Sequence, residues 1–329
     1  MHRAPQRIVD LTTTRRTFLS GMAIAALSGA LVRRGSVFAQ GATPAGGSAL
    51  AGLGVPEVSI KITDAGFEGV PDQLSAGWVL LTVENDSQLT GETGDANFVM
   101  PPAGTTADDV RALFAPPSAT PAAASASPTG DGGEQLPEWL YQAAWAGAAL
   151  VPYNQTVSSL IELTPGDWIV TNDSPGAPYQ LPTVKVTGDA GSPTPAPAIT
   201  ADVTVELAEF AFGGVQNGVP AGKHVWKFSN IGKQPHIMVI GKGPEGLTMD
   251  QIMTMMSLPE GATPPPDFPY KESDFDFAEP GIGALSPGKT SYAEMDLEAG
   301  TYFALCFVTD PKSGMPHAML GMIAIFTAA

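Results

Sequence analysis

Cysteine occurs once in this 329-residue chain, at Cys306, and histidine only four times. His317 follows the cysteine after ten intervening residues, and Met322 follows His317 after four, with Gly321 just before it. His236 lies seventy residues upstream, heading the apolar run His236-Ile-Met-Val-Ile. A thiolate, two imidazoles and a thioether form a soft donor set that suits copper better than zinc or calcium. Each residue also has a plainer reading: a lone cysteine packs like a small hydrophobe, and a lone strand histidine is usually structural. As an ordered set they point to one metal, with two imidazoles and the thiolate in a trigonal site and the thioether as a weak axial ligand. A single cysteine excludes an internal disulfide, and an exported lone thiol survives by binding a metal or by burial.

Two strands and two turns must place these side chains. Tyr302, Ala304, Cys306 and Val308 share one face of an alternating strand, with Phe303, Leu305 and Phe307 on the other. Asp310-Pro-Lys-Ser-Gly314 is a turn signal, so the chain runs out from Cys306, turns, and returns through Met315-Pro316 to His317. His317, flanked by Met315, Pro316, Ala318, Met319 and Leu320, is expected at the surface within an apolar patch.

The strand pattern is written twice. Val58-Ser-Ile-Lys-Ile returns as Val203-Thr-Val-Glu-Leu, and Phe67, Gly77 and Asn85 return 145 residues later as Phe212, Gly222 and Asn230. Further on, Gly166-Asp-Trp168 pairs with Gly300-Thr-Tyr302, aromatics that could close the core at a sheet corner. Short alternating strands, one short helix per copy, 31 prolines and 37 glycines argue for β-sandwiches. The expected organisation is a leader at 1–39, a flexible linker at 40–55, a first copy at 56–190, a Pro-rich linker at 191–199 and a second copy at 200–329. The first copy has neither cysteine nor histidine. By approximate alignment it offers Asn97, Asn172, Pro178 or Tyr179, and Thr183 where the second has its four candidates. His224, Met249, Met253 and Met256 read as structural, and the acidic stretch Asp267–Glu279 as a solvated loop.

The leader carries Arg15-Arg16 before an apolar run too short to span a bilayer, then Val37-Phe38-Ala39. It resembles a twin-arginine signal, which predicts an exported protein: periplasmic, cell-surface or extracellular, touching a membrane only through an uncleaved signal. Beyond residue 39 the chain carries ten basic and 32 acidic residues, a net charge of −22. Such a surface repels nucleic acid and anionic lipid and favours a basic partner.

With these residues in view, the second copy resembles the cupredoxins, the blue copper proteins such as plastocyanin and azurin. The shared pattern is a histidine after an Asn-x-Gly turn (Asn230-Ile-Gly232, then His236), followed by Cys306, His317 and Met322 around the last inter-strand loop. The resemblance implies an all-β chain of two tandem cupredoxin-like Greek-key β-sandwich domains, one type 1 copper on His236, Cys306, His317 and Met322, and one-electron transfer. Two features depart from the pattern: the long Cys306–His317 gap, and Ile237 where many relatives carry asparagine. The implied partner is a redox protein docking near His317, with no substrate pocket. The alternatives are a copper sequestration, delivery or scaffold module, and a two-domain copper oxidoreductase resembling nitrite reductase. The last would need a further histidine-bound copper, for which too few histidines remain.

Overall fold

The computed structural model of the chain describes residues 48–90, 93–114, 136–172, 180–189, 195–258 and 264–329. The leader, most of the 115–137 insertion, linker residues 191–194, Pro178 and Tyr179 lie outside them. The first copy contains β1 (Glu57–Thr63), β2 (Gly66–Glu68), β3 (Gln73–Ser75), β4 (Gly77–Asn85), β5 (Thr93–Asp95) and β6 (Asn97–Met100). After α1 (Ala107–Phe114) and α2 (Glu138–Gln142) come β7 (Ala144–Trp145), β8 (Ala149–Pro152), β9 (Gln155–Leu163), β10 (Gly166–Thr171) and β11 (Thr183–Thr187). The second copy begins with β12 (Val203–Ala208), β13 (Ala211–Gly213), β14 (Gly222–Asn230), β15 (His236–Gly243) and α3 (Met249–Met256). It ends with β16 (Gly281–Leu285), β17 (Thr290–Leu297), β18 (Gly300–Leu305) and β19 (Ile323–Ala328).

The duplication holds at the level of pairing. Strand β1 alternates Val58, Ile60 and Ile62 inward, and β12 does the same with Val203, Val205 and Leu207. Each runs parallel to the long strand that follows, β1 with β4 and β12 with β14. Asn85 donates its amide to Val151 O at 2.9 Å, and Asn230 donates to Leu285 O at 2.7 Å, fastening the turn after each long strand to the opposite sheet. Trp168 Nε1 reaches Thr164 O and Tyr302 Oη reaches Glu298 O, so each corner aromatic satisfies its polar atom on a carbonyl four residues back. The equivalent helices α1 and α3 bury Val110 and Ile252, and α3 starts on a Thr248–Gln251 capping box. Met253 and Met256 pack half-buried on the core, whereas Met249 is 40% exposed.

The copies are not separate beads. One eight-stranded sheet runs β13-β12-β14-β17-β9-β4-β1-β2 and another runs β19-β18-β15-β16-β8-β5, both crossing from one copy to the other. In the first, Ser159 of β9 faces Ala293 of β17. These are equivalent positions of the two copies, so a local twofold axis passes through that pair. The second sheet crosses through Gly281 opposite Leu150 and Ile282 opposite Ala149. Trp145 and Ser286 exchange backbone and hydroxyl bonds across the seam, and Lys289 meets Glu162 at 2.9 Å. The hydrophobic core is accordingly continuous through both copies.

The stretch before β1, expected to be a free tether, is partly fixed. Leu50 is fully buried against Trp78, Leu80, Leu160, Val225 and Tyr292 on the outer face of the shared sheet. The Ala49 amide donates to Glu294 of the second copy. The acidic stretch also has an inward side: Phe275 and Phe277 pack edge-on against Phe303 while Asp274 and Asp276 face out.

Candidate metal centre

Cys306 lies one residue beyond the end of β18, His236 opens β15, and those two strands pair directly. From Cys306 the chain makes the hairpin its turn signal predicts. Asp310 N reaches Met315 O, Thr309 bridges Pro316, and His317 N returns to Val308 O. Asp310 caps the tip by accepting from Ser313 N and Oγ, both at 2.8 Å. His317 then begins a short 3-10 turn that ends on Gly321 at φ 106°, a value that favours glycine. That turn lets Met322 N donate to His317 O while Met322 O accepts from Cys306 N. Met322 is thus held by its main chain to both neighbours and is fully buried.

His236, Cys306 and His317 are all 0% exposed. Their donor atoms form a closed triangle: Nδ1 to Nδ1 is 3.1 Å, and Cys306 Sγ is 3.5 Å from His317 Nδ1 and 3.8 Å from His236 Nδ1. The circle through the three atoms has a radius of about 2.0 Å, against metal–nitrogen and metal–sulfur distances of about 2.0–2.3 Å. Only one proton fits between two Nδ1 atoms that face each other, so at least one must be bare. His317 Nε2 instead donates to Gln234 Oε1 at 3.0 Å, and Gln234 Nε2 donates onward to Asp310 Oδ1 at 2.9 Å. His236 Nε2 is buried without a hydrogen-bond partner among the described residues; Glu209 Oε1 lies 3.8 Å away.

Burial pushes both imidazoles down to about 4, with Glu209 pulling His236 back and His236 adding to the depression at His317. Both rings are therefore neutral and available as ligands at ordinary pH. Burial pushes the Cys306 thiol up to about 12, opposed by the Ile237 and Val308 amides, which point at the sulfur. Strand β15 and the loop thus each supply one backbone donor to the sulfur even though Ile237 has no polar side chain. A neutral, dry cluster of two imidazoles and one thiol gains a thiolate ligand when a cation displaces the thiol proton. The donor set and its spacing fit one type 1 copper ion.

One expectation is overturned. His317 does not reach the surface, because Gln234 closes its Nε2 side and Phe210 stands edge-on to its ring with centroids 5.3 Å apart. Its apolar flank is nevertheless partly open: Met315 is 39% exposed, and Ile231, in the other ligand-bearing turn, 60%.

The sheet register also corrects the comparison with the first copy. Gly94 pairs with Val151 as His236 pairs with Leu285, so Gly94, not Asn97, matches His236. Thr183 lies opposite Ile169 as Ile325 lies opposite Phe303, so Gln180, not Thr183, matches Met322. Asn172 does match Cys306. The first copy has eight fewer residues between these points. His224 is taken up elsewhere, with Nε2 3.1 Å from Ala221 O and Nδ1 3.5 Å from Asp202.

Sequence reasoning missed Glu209, Phe210, Gln234 and Tyr141. Tyr141, in α2 of the first copy, donates to Thr309 O at 2.7 Å, inside the Cys306–His317 hairpin. A cleft of about 450 Å³ opens beside this contact, lined by Leu136, Glu138, Tyr141, Thr309 and Asp310 among others.

No protein-family model and no curated protein matches the chain. Among solved structures, the chain is similar to dithionite-reduced auracyanin from Roseiflexus castenholzii, at 27% identity over 40% of this chain and 99% of that one, with a TM-score of 0.25. It is also similar to auracyanin A, a "blue" copper protein from Chloroflexus aurantiacus, at 21% identity over 39% and 98%, with a TM-score of 0.22. A Cu-containing nitrite reductase from Thermus scotoductus aligns over 83% of this chain and 62% of its own, at 11% identity and a TM-score of 0.21.

Proposed function

We propose that this chain is an exported one-electron carrier whose second copy holds the copper through His236, Cys306, His317 and the axial thioether of Met322. The observation that carries this reading is the triangle of three fully buried donors, two Nδ1 atoms and one Sγ, 3.1–3.8 Å apart. When bound, the copper supplies a one-electron couple. The chain's own residues do the rest: the β15–β18 pairing and the hairpin fix the donors, and the closed packing excludes water. Ligands that are already placed need little rearrangement when the charge changes, which favours electron transfer.

The same features weigh against storage or delivery, which need ligands that open to a receiver. An enzyme of the nitrite reductase kind needs a histidine-bound second copper. Beyond the leader's His2 and the proposed ligands only His224 remains, and its ring is engaged by Ala221 and Asp202.

The docking face we propose surrounds Ile231 and Met315, where both ligand-bearing turns leave apolar side chains exposed. A net charge of −22 beyond residue 39 favours a basic redox protein there. The first copy acts as a brace, holding the copper hairpin through Tyr141. The twin-arginine leader supports export, and among the described residues no helix is long and apolar enough to cross a membrane. Cyclic voltammetry of the copper-loaded protein tests the carrier role: a reversible one-electron couple is expected, and copper that cannot be cycled contradicts it.

A further inference from the structure

We infer that the two-residue hairpin tip Glu209–Phe210 is the outer shell of the copper centre, with Glu209 as the positioning carboxylate of His236 and Phe210 as the cover over His317. The inference rests on the copper reading above and names residues outside its ligand set.

Ala208 pairs with Ala211, so Glu209 and Phe210 alone make the turn between β12 and β13. Glu209 accepts from the amides of Lys233 and Gln234 and so caps the turn that leads into His236. In the first copy Asp64 takes one amide of the corresponding turn, accepting from Gln88 N and from Ser87 Oγ at 2.9 Å, while Ser87 Oγ accepts from Leu89 N. With Gly232 in place of that serine, Glu209 takes both amides itself. The extra methylene of Glu209 brings its Oε1 to 3.8 Å from His236 Nε2, the buried nitrogen left without a hydrogen bond. Space for this approach is kept by Gly232, where a Cβ would sit 2.7 Å from Glu209 Oε1 and 2.8 Å from His236 Nε2. The first copy, with Gly94 in place of the histidine, has Ser87 at that position.

Phe210 departs from the first copy in the same direction. It sits at φ 63°, a conformation unfavourable for a bulky side chain, where the first copy has Ala65. Its half-buried ring lies edge-on to His317. Both residues of the tip are thus larger in the copy that has the ligands, and each lies behind a different imidazole. A carboxylate behind Nε2–H keeps the proton on that nitrogen, leaves Nδ1 bare for the metal and raises the basicity of the ligand. Its negative charge favours cupric over cuprous copper and so lowers the midpoint potential.

The test uses the whole exported chain with three variants, Glu209→Asp, Glu209→Gln and Phe210→Ala. Readouts are Cu(II) affinity by chelator competition, midpoint potential by voltammetry, and the His236 ring nitrogens by NMR in the diamagnetic Cu(I) form. Glu209→Asp keeps the charge but draws it back from His236, so Cu(II) binding weakens by about 10- to 100-fold and the potential rises, read beside the melt of the copper-free variant. Glu209→Gln keeps the reach without the charge, so the potential rises while the His236 Nε2–H signal stays protected from exchange. In Phe210→Ala, azide shifts the visible band, as it does not in wild type. Wild-type affinity and potential in Glu209→Asp would overturn the role of Glu209; should that variant fail to fold, an unchanged potential in Glu209→Gln does so. An azide-silent Phe210→Ala overturns the cover. Failure of the wild type itself to take up copper would instead refute the reading beneath.

Discussion

Tyr141→Phe removes one oxygen atom at the seam between the ligand-free copy and the copper hairpin. The hydroxyl donates at 2.7 Å to the carbonyl of Thr309, a residue 1% exposed and three positions after Cys306. A typical intramolecular hydrogen bond contributes about 0.5–1.5 kcal/mol net, and a buried acceptor left bare costs about 1–3 kcal/mol. The cleft that Tyr141 and Thr309 line admits water, which can replace the lost donor and holds the loss to about 1 kcal/mol. Without copper the hairpin relaxes when this anchor goes, so the cost of ordering it reappears in metal binding. A loss of about 1 kcal/mol is about a fivefold weaker copper dissociation constant. Chelator competition on wild type and Tyr141→Phe, alongside thermal melts of the copper-free forms, measures both quantities. An unchanged copper affinity with a lowered melting temperature would refute the brace and leave Tyr141 as a seam residue only.

Four other outcomes follow from the same structure. Burial holds Cys306 near 12 and both imidazoles near 4, so between pH 5 and 9 copper binding should release one proton, and Cu(II) affinity should rise about tenfold per pH unit; calorimetry in buffers of different ionisation enthalpy counts that proton. Those histidine values lie below the unfolded value near 6.5, so the unfolded chain binds more protons between about 6.5 and 4; denaturant melts of the copper-free protein should show stability falling as pH drops through that window. A fragment of residues 200–329 bares the edges of β16 and β17 that the first copy covers, and light scattering should find it dimeric, with a second copy of itself standing in for the first across the same twofold relation. Leu50→Ala should lower stability by about 2–5 kcal/mol in a chemical melt, as for other fully buried leucines, although Leu50 lies in a stretch that reads as linker.

The donors were legible because they are rare. One cysteine and four histidines leave few ways to build a soft site, and the turn signal at Asp310–Gly314 carried the hairpin. The duplicated strands were legible because β1 and β12, and β4 and β14, keep one register for thirty residues. Beyond that register, loop lengths diverge, which is why Asn97 and Thr183 stood in for Gly94 and Gln180. The burial of His317 was hidden because its flanking methionines and proline resemble a surface patch; Gln234 and Phe210, which enclose it, are 83 and 107 residues away in sequence. Nor does periodicity reveal that two sheets cross the seam, since edge strands and central strands alternate alike. The burial of Leu50 escapes for a related reason: a lone leucine among glycines, alanines and serines has no period to read.

The most direct test of the central claim is the visible absorption spectrum of the protein loaded with Cu(II), beside Cys306→Ser. The geometry of His236, Cys306 and His317 predicts one bound copper and an intense thiolate-to-copper band that the serine variant lacks. A colourless copper complex, or no copper uptake by the folded wild type, would contradict it.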